Sequence, residues 1–265
     1  MKEINQLKLK DKKYIIFDMD GTLIDSIGVW NMTDQKLIEK YGGINKNLDE
    51  IQFERDLFLH NIQTGNTYLE YSKYLMNEYN FTIFDAEELT KIRLNLANDI
   101  LAKEIDFKPN VVELILKLKS LGFILILATM TTQVQLNVYS KINKKMLEQM
   151  NINEIFDLIF TIDDVENKKP HPEIYNKIVQ CYNASQNECL IFEDSYTGVL
   201  ASYNAGIEVV NVYDKYAEID REKINKITDY SINDYSEFIA LIDTTYSIEN
   251  EMIKKSTNRN SKETL

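Results

Sequence analysis

The chain has 265 residues, of which 44% are hydrophobic and 27% are charged, a composition typical of a globular protein with material for a buried core. Its 42 acidic and 30 basic side chains give a formal net charge of −12, which argues against nucleic acid or an anionic membrane as a partner. The sequence has no apolar run of about 18 residues, and its first residues lack the apolar stretch expected of a signal peptide. Its two cysteines do not suggest a disulfide framework. We therefore expect a cytoplasmic protein.

Apolar runs of strand length alternate with helical patterns along most of the chain. We predict strands at 14–17, 123–128, 155–162 and 190–192, with a fifth run at 207–212. Helical patterns cover 111–119, 132–150, 172–181 and 197–205, and a last one lies near 236–242. Most of the runs are apolar throughout, as expected for strands that are covered on both faces. The alternation predicts a parallel sheet with right-handed crossovers.

The interval 28–107 breaks this alternation. It holds no convincing strand, and its apolar residues recur at three- and four-residue spacing, as in Tyr68, Tyr71 and Leu75, which indicates amphipathic helices. We predict four of them. Because a βα connection usually has about two to six residues, we interpret this insertion as a second, helical domain.

Polar side chains follow the apolar runs at the points where ligands gather in an open parallel sheet. They are Asp18-Met19-Asp20-Gly21-Thr22 after the first run, Thr129 after the second, Lys169-Pro170-His171-Pro172 beyond the third and Glu193-Asp194-Ser195 after the fourth. The carboxyl ends of parallel strands share one edge of the sheet. We therefore expect two pairs of carboxylates, a hydroxyl and an ammonium to converge there.

These residue types predict a phosphoryl-binding site. Four close carboxylates are unfavourable as bare anions, so either some are protonated or a cation neutralises them. Ligands that are all oxygen, without His or Cys, favour Mg²⁺ over Zn²⁺, while Lys169 and the Thr129 hydroxyl can bind the remaining oxygens of a phosphate. A carboxylate beside Mg²⁺ can attack phosphorus to form an aspartyl-phosphate. A second acid can protonate the leaving oxygen and then activate water.

Each motif alone also has an ordinary structural explanation. Asp and Gly after an apolar run are common in turns, and the Thr129 hydroxyl could cap the next helix. Lys168 and Lys169 could be a solvated pair, and the acidic residues before 196 could lie at the N-terminus of a helix. The order and spacing of all four motifs favour the functional interpretation.

Taken together, the four motifs resemble the haloacid dehalogenase (HAD)-like superfamily. The large helical insertion after the first motif resembles the branch with a mobile helical cap at that point, which includes phosphoglycolate phosphatases and β-phosphoglucomutases. The resemblance covers roughly residues 13–242. It implies an α/β fold with a Rossmann-like parallel-sheet core at 1–26 and 108–245 and an inserted four-helix cap domain at 27–107. The remaining residues, 246–265, form a polar C-terminal tail that we expect to be mobile.

The resemblance also assigns roles to the motif residues. It makes Asp18 the catalytic nucleophile and a Mg²⁺ ligand, and Asp20 the catalytic acid/base that also offers its backbone carbonyl to the metal. Thr129 and Lys169 match the phosphate-binding hydroxyl and lysine. Asp194 matches the acidic metal ligand, and the adjacent Glu193 belongs to the metal site in either the inner or the outer shell.

The implied activity is that of a Mg²⁺-dependent phosphatase acting on a small phosphorylated metabolite, such as a sugar phosphate or similar monoester. Asp20 argues against C–halogen cleavage, because the haloacid dehalogenases proper do not use this pair of aspartates. β-Phosphoglucomutases carry a histidine twelve residues after the nucleophile, where this chain has Trp30. This departure argues against mutase activity, so a phosphosugar mutase is the alternative and not the leading hypothesis. A non-catalytic binding protein on the same fold is a further alternative.

Several side chains of the insertion could contact a substrate, although aromatic residues at helical spacing more often form a core. These candidates are Trp30, Arg55, His60 and the tyrosines at 68, 71, 74 and 79. Trp30 is favoured among them because it follows the first motif closely.

Overall fold

The computed structural model describes residues 2–61, 66–82 and 85–260. They divide into two compact units. An α/β unit comprises Met1–Asp25, Phe107–Gln133 and Gln149–Leu265, and a helical unit comprises Ser26–Asp106 and Val134–Glu148. None of the helices within the described ranges combines the length and hydropathy needed to cross a membrane.

The α/β unit contains a six-stranded sheet in which every neighbouring pair of strands is parallel. The strands are β1 Tyr14–Phe17, β2 Ile124–Ala128, β3 Leu158–Phe160, β4 Cys189–Glu193, β5 Val209–Val212 and β6 Tyr230–Ile232, in the order β3-β2-β1-β4-β5-β6. This confirms the predicted α/β class and the Rossmann-like parallel sheet. Strand β6 was not predicted, because its three residues include a central serine and give little apolar signal.

The helices, in chain order, are α1 Val29–Leu37, α2 Leu48–Asn61, α3 Thr67–Glu78, α4 Ala86–Lys103, α5 Val111–Ser120, α6 Gln133–Asn137, α7 Lys144–Leu147, α8 Ile152–Ile155, α9 Glu173–Tyr182, α10 Tyr196–Ala205, α11 Arg221–Ile227 and α12 Tyr235–Asn260. The first four correspond to the predicted helices of the insertion.

The sheet is buried on both faces, which explains why its strands read as continuous apolar runs. On one face, Ile16, Ile126 and Ile191 belong to a core cluster that includes Tyr175 of α9 and Val199 of α10.

The other face carries an aromatic cluster. The ring of Phe192 lies 4.7 Å from that of Phe17 and 4.8 Å from that of Phe238 on α12. Burial of three such rings contributes strongly to the core, and it fixes the two central strands next to each other.

The register of the central strands brings the ends of three strands to the same level. Phe17 of β1 is aligned with Leu127 of β2 and with Phe192 of β4, and the backbone N–H of Asp18 donates to the Phe192 carbonyl across 3.0 Å. Residues that follow β1, β2 and β4 are therefore held close together.

The helical unit has its own core. It is formed by Leu37, Ile38, Ile51, Tyr71, Leu75, Tyr79, Phe81 and Leu89, all of them buried. Side-chain caps begin two of its helices: Asn66 accepts from the backbone N–H of Leu69, and Asp85 accepts from that of Glu88. Such caps satisfy N–H groups that a helix terminus leaves unpaired.

The segment Val134–Glu148 belongs to the helical unit, whereas the sequence analysis assigned it to the α/β core. The single helix predicted for 132–150 is broken at Asn143, which lies between a turn of π-helix and α7. The Asn143 Nδ2 donates to the carbonyls of Leu101 and Ile105, each across 2.9 Å. These hydrogen bonds attach Val134–Glu148 to the end of α4. The helical pattern of the sequence does not predict them.

Helix α12 extends to Asn260, well beyond the predicted 236–242. The sequence analysis expected a mobile tail from residue 246, but no proline or glycine interrupts 235–260, and the backbone continues as a helix. Residues 261–265 lie outside the described ranges.

Candidate active site

The structure brings an ammonium and two carboxylates together at the carboxyl edge of the sheet. The Lys169 Nζ donates to Oδ1 of Asp18 across 2.7 Å, to Oε1 of Glu193 across 2.5 Å and to the carbonyl of Ala128 across 2.9 Å. Only 3% of the Lys169 side chain is exposed. All three of its N–H donors are therefore satisfied inside the protein.

Asp18, Glu193 and Asp194 form a buried group in which one carboxylate oxygen from each lies within 4.8 Å of the others. Burial raises the pKa of Asp18 to about 8, with Glu193 adding to the rise and Lys169 opposing it. Burial also holds the pKa of Asp194 well above its ordinary value, and the neighbouring Glu193 and Asp18 raise it further. One ammonium is too little positive charge for three carboxylates, so the group favours a cation or protons.

Burial alone would lower the pKa of Lys169, but the attraction of Asp18 and Glu193 holds it well above its ordinary value. The lysine is therefore a permanent cation beside the candidate nucleophile. A phosphoryl oxygen that shares or replaces one of its three acceptors would be bound by the same ammonium.

Two glycines make room for the carboxylates. Gly21 has a φ of +83°, and a Cβ added to it would lie 2.3 Å from Oδ2 of Asp194. A Cβ on Gly198, in the first turn of α10, would lie 1.9 Å from Cδ of Glu193. No side chain fits at either position, which gives the glycine of the first motif a packing role as well as a role in the turn.

Asp20 has a hydrogen-bond partner of its own. Its Oδ2 accepts a short hydrogen bond from Oγ1 of Thr131, a buried residue in the loop after β2. The sequence analysis did not single out Thr131. The only signal was a second hydroxyl residue two positions after Thr129, which is too common to interpret without the contact.

Thr129 is buried directly after β2, where its backbone N–H donates to the carbonyl of Phe160 across 3.0 Å. Its Oγ1 accepts from the backbone N–H of Thr131 across 3.1 Å. The hydroxyl thus shapes the loop, and it retains its own O–H proton as a donor. The loop-shaping role and the predicted phosphate contact are compatible.

Other buried side chains hold the acidic residues in place. The Thr22 Oγ1 donates to Oδ1 of Asp194 across 2.7 Å, and the Tyr235 hydroxyl donates to the Thr22 carbonyl across 3.0 Å. The Asn211 Nδ2 donates to the backbone carbonyls of Glu193 and Asp194 across 3.0 and 3.2 Å. The positions of Glu193 and Asp194 are therefore fixed by hydrogen bonds to their backbone, and that of Asp194 also by a hydrogen bond to its side chain.

Glu193 also accepts from the hydroxyl of Tyr175, 3.1 Å from its Oε1. Ser195 caps α10, since its Oγ accepts from the backbone N–H of Gly198. The helix-capping explanation considered for this motif is therefore correct for Ser195, and it coexists with the acidic group.

Among the candidates of the helical unit, the aromatic residues mostly form the core, as expected. Tyr71 and Tyr79 are buried. The Trp30 ring lies 4.5 Å from the guanidinium carbon of Arg93 and 5.6 Å from the Tyr68 ring. The prediction for His60 concerns a side chain that the structure does not describe, although its backbone is part of α2.

Known proteins are similar to this chain in sequence and in fold. The sequence profile of the family described as haloacid dehalogenase-like hydrolase matches residues 15–212. A "phosphorylated carbohydrates phosphatase" of Thermotoga maritima is 30% identical over 195 residues, which cover 73% of this chain and 82% of that protein. A "phosphoglycolate phosphatase" of Colwellia psychrerythraea is 25% identical over 211 residues, covering 78% of this chain and 86% of the relative.

The structure also resembles that of a Thermotoga maritima protein provisionally named β-phosphoglucomutase. The TM-score is 0.67 at 25% sequence identity, and the match covers 87% of this chain and 99% of that one.

Proposed function

Because this chain belongs to the haloacid dehalogenase-like hydrolase family, we propose that it is a Mg²⁺-dependent phosphatase of small phosphorylated metabolites. The observation that carries the proposal is the buried contact of Lys169 with Asp18 and Glu193. It combines a carboxylate that can attack phosphorus with a cation that can bind the oxygens of the phosphoryl group.

The acidic group fits a hard divalent cation. Asp18, Glu193 and Asp194 offer oxygen ligands only. Burial, and after it the repulsion from Glu193, raises the pKa values of Asp18 and Asp194, so a cation that neutralises the carboxylates is favoured. These three residues, with the backbone carbonyl of Asp20, would hold Mg²⁺. A bound Mg²⁺ would neutralise the carboxylates and polarise the phosphoryl group.

In the proposed first step, a carboxylate oxygen of Asp18 attacks the phosphorus atom. The bond between phosphorus and the ester oxygen breaks, and the carboxyl proton of Asp20 passes to the leaving oxygen. The Lys169 ammonium and the Thr129 hydroxyl bind the phosphoryl oxygens on which charge builds up.

In the second step, a water molecule attacks the phosphorus atom of the aspartyl-phosphate. The Asp20 carboxylate takes the proton of the water, the bond between Asp18 and phosphorus breaks, and inorganic phosphate leaves. Asp20 needs a stable position in both steps, which the hydrogen bond from Thr131 supports.

The substrate class is a phosphorylated sugar or a similar monoester. Two relatives carry names that specify phosphorylated carbohydrates and phosphoglycolate, which supports a small metabolite rather than nucleic acid or a membrane component. A mutase would have to transfer the phosphoryl group of the aspartyl-phosphate back to the sugar instead of to water. Trp30 stands twelve residues after Asp18, where β-phosphoglucomutases carry a histidine, and its ring has no group that titrates.

The proposal is tested by measuring phosphate release from a panel of monoesters with and without Mg²⁺. Asp18→Asn should abolish release while circular dichroism stays unchanged. Asp25→Asn, the same change at an exposed position, is the matched control and should keep full activity. Full activity of Asp18→Asn would refute the mechanism.

A further inference from the structure

A polar side chain interrupts the apolar residues of β5 in the α/β unit. Asn211 is 0% exposed, and its strand neighbours Val210 and Val212 are buried as well. Burying an amide among apolar side chains is unfavourable unless its donors and its acceptor are hydrogen-bonded. In the register of the sheet, Asn211 is aligned with Glu193, the last residue of β4. The amide therefore lies beside the backbone of the acidic group.

The Asn211 amide is satisfied by partners on two sides. Its Nδ2 donates to the backbone carbonyls of Glu193 and Asp194 across 3.0 and 3.2 Å, and its Oδ1 accepts from Nη1 of Arg221 across 2.9 Å. A guanidinium only donates, so an amide turned by about 180° would place Nδ2 against Nη1 and Oδ1 against two carbonyl oxygens. Arg221 therefore holds the amide in the orientation that binds the backbone of Glu193 and Asp194.

Arg221 is itself fixed by its surroundings. It is the first residue of α11, and 18% of its side chain is exposed. Its Nη2 donates to the Asp214 carbonyl across 3.2 Å, and its guanidinium carbon lies 4.6 Å from the centre of the Tyr213 ring. The Glu218 carboxylate, 3.5 Å from Nε, is exposed and contributes little. Asn211 thus receives a charge-assisted hydrogen bond from a guanidinium that is held in place.

The carbonyl that receives Arg221 belongs to an anchored turn after β5. The Asp214 Oδ1 accepts from the backbone N–H of Tyr216 across 2.8 Å, and its Oδ2 accepts from Nζ of Lys108 across 2.5 Å. Both side chains of this ion pair are largely buried. The turn therefore offers Arg221 an acceptor whose position is fixed.

We propose that Arg221 is a positioning residue of the metal site: through Asn211 it holds the backbone of Glu193 and Asp194 in the geometry that Mg²⁺ requires. The inference rests on the proposed phosphatase function. Mg²⁺ demands near-ideal octahedral geometry, so a small shift of two adjacent acidic residues weakens its binding. Removing a residue that orients metal ligands without touching the metal typically lowers metal affinity by about 10- to 100-fold.

The first test is the affinity of the metal-free protein for Mg²⁺ alone, measured by calorimetric titration. Arg221→Met should raise the Kd by about tenfold or more. Arg221→Lys should recover part of the affinity, because an ammonium can donate to Asn211 but lacks the planar fork that also binds the Asp214 carbonyl. Lys226→Met is the matched control: it removes one positive charge from an exposed residue of the same helix and should leave the Kd unchanged.

A double-mutant cycle tests whether Arg221 acts through the amide. Asn211→Leu should raise the Kd for Mg²⁺ at least as much as Arg221→Met does. Adding Arg221→Met to Asn211→Leu should then change the Kd by less than about twofold, because the two residues form one chain of hydrogen bonds. Arg221 is partly exposed, so the first test stands even if Asn211→Leu does not fold.

Activity provides a readout that a purely structural role would not change. In Arg221→Met, the Mg²⁺ concentration that gives half-maximal phosphate release should rise by the same factor as the Kd. At saturating Mg²⁺, kcat should fall by less than about threefold, since the metal then restores the geometry of its ligands. A residue that only stabilises α11 would lower the melting temperature and leave both Mg²⁺ values as they are.

The inference is overturned if Arg221→Met binds Mg²⁺ as tightly as the unaltered chain, or if Lys226→Met weakens binding equally. It is also overturned if the effects of Arg221→Met and Asn211→Leu on the Kd are additive, since Arg221 would then act by another route. Mg²⁺-dependent phosphate release by the unaltered chain would leave the proposed function intact in each of these cases. Absence of both Mg²⁺ binding and phosphate release in the unaltered chain would refute the proposed function, and the inference with it.

Discussion

The ammonium of Lys169 lies 2.7 Å from the carboxylate oxygen of Asp18, although 151 positions separate the two residues in the chain. The same ammonium contacts Glu193 at 2.5 Å. This arrangement gives the candidate nucleophile a cation that is independent of any bound metal.

Lys169→Met should leave two buried carboxylates without their ammonium. We expect the free energy of unfolding to fall by about 3–5 kcal/mol, the usual effect of removing one partner of a buried ion pair, and kcat to fall by about 10² to 10³, as for loss of a donor to a developing charge. Urea denaturation and phosphate release measure the two effects. Lys168→Met, at an exposed neighbour, should change neither.

The stability of the metal-free protein should decrease as the pH rises from about 5 to about 8. The pKa of Asp18 is raised from 3.8 to about 8 in the folded chain, so in this range the folded state binds more protons than the unfolded state, and the free energy of unfolding falls with pH. Thermal melts in chelator at several pH values test this. Asp18→Asn should flatten the slope, and a stability that rises over this range would contradict the assignment.

Mg²⁺ should stabilise the protein more at pH 8 than at pH 5. The ligands must lose their protons to bind the metal, and Asp18 and Asp194 both have raised pKa values. The melting temperature with and without Mg²⁺ gives the difference directly. An equal shift at both pH values would argue that the acidic group does not bind the ion.

Gly198→Ala should reduce activity even though alanine favours helices more than glycine does. The added Cβ would lie 1.9 Å from Cδ of Glu193, so the carboxylate must move. We expect kcat/KM to fall by at least about tenfold, as for small misplacements of catalytic groups. Gly206→Ala provides the comparison, because its Cβ would meet nothing within 4 Å; it should affect stability alone.

Thr131→Val should lower kcat by about 10- to 100-fold with little change in KM, because a group that positions an acid/base acts on the chemical step. The reason is the hydrogen bond from Thr131 to Asp20. Thr131→Ser keeps the hydroxyl and should retain most of the activity. If Thr131→Val and Thr131→Ser have the same kcat, the hydrogen bond from Thr131 does not position Asp20.

The sequence predicted the sheet and the convergence of polar residues well, because both depend on local signals. Continuous apolar runs indicate buried parallel strands, and parallel strands bring their carboxyl ends to one edge. Asp18, Lys169, Glu193 and Asp194 could therefore be selected from their places after the strands. Their chemical roles stay predictions until the activity is measured.

What the sequence could not predict depends on contacts between distant residues. Thr131 matters because its hydroxyl meets Asp20, 111 positions away, and Asn143 because it bonds the carbonyls at the end of α4. Neither contact leaves a periodic pattern.

The bonds of Asn143 to Leu101 and Ile105 have a consequence for exchanging parts between relatives. The α/β unit consists of three stretches of chain and the helical unit of two, so the backbone passes from one unit to the other four times. A graft limited to Ser26–Asp106 would leave the second stretch, Val134–Glu148, to pack against a foreign surface. A chimera that exchanges the helical unit must therefore carry both stretches together.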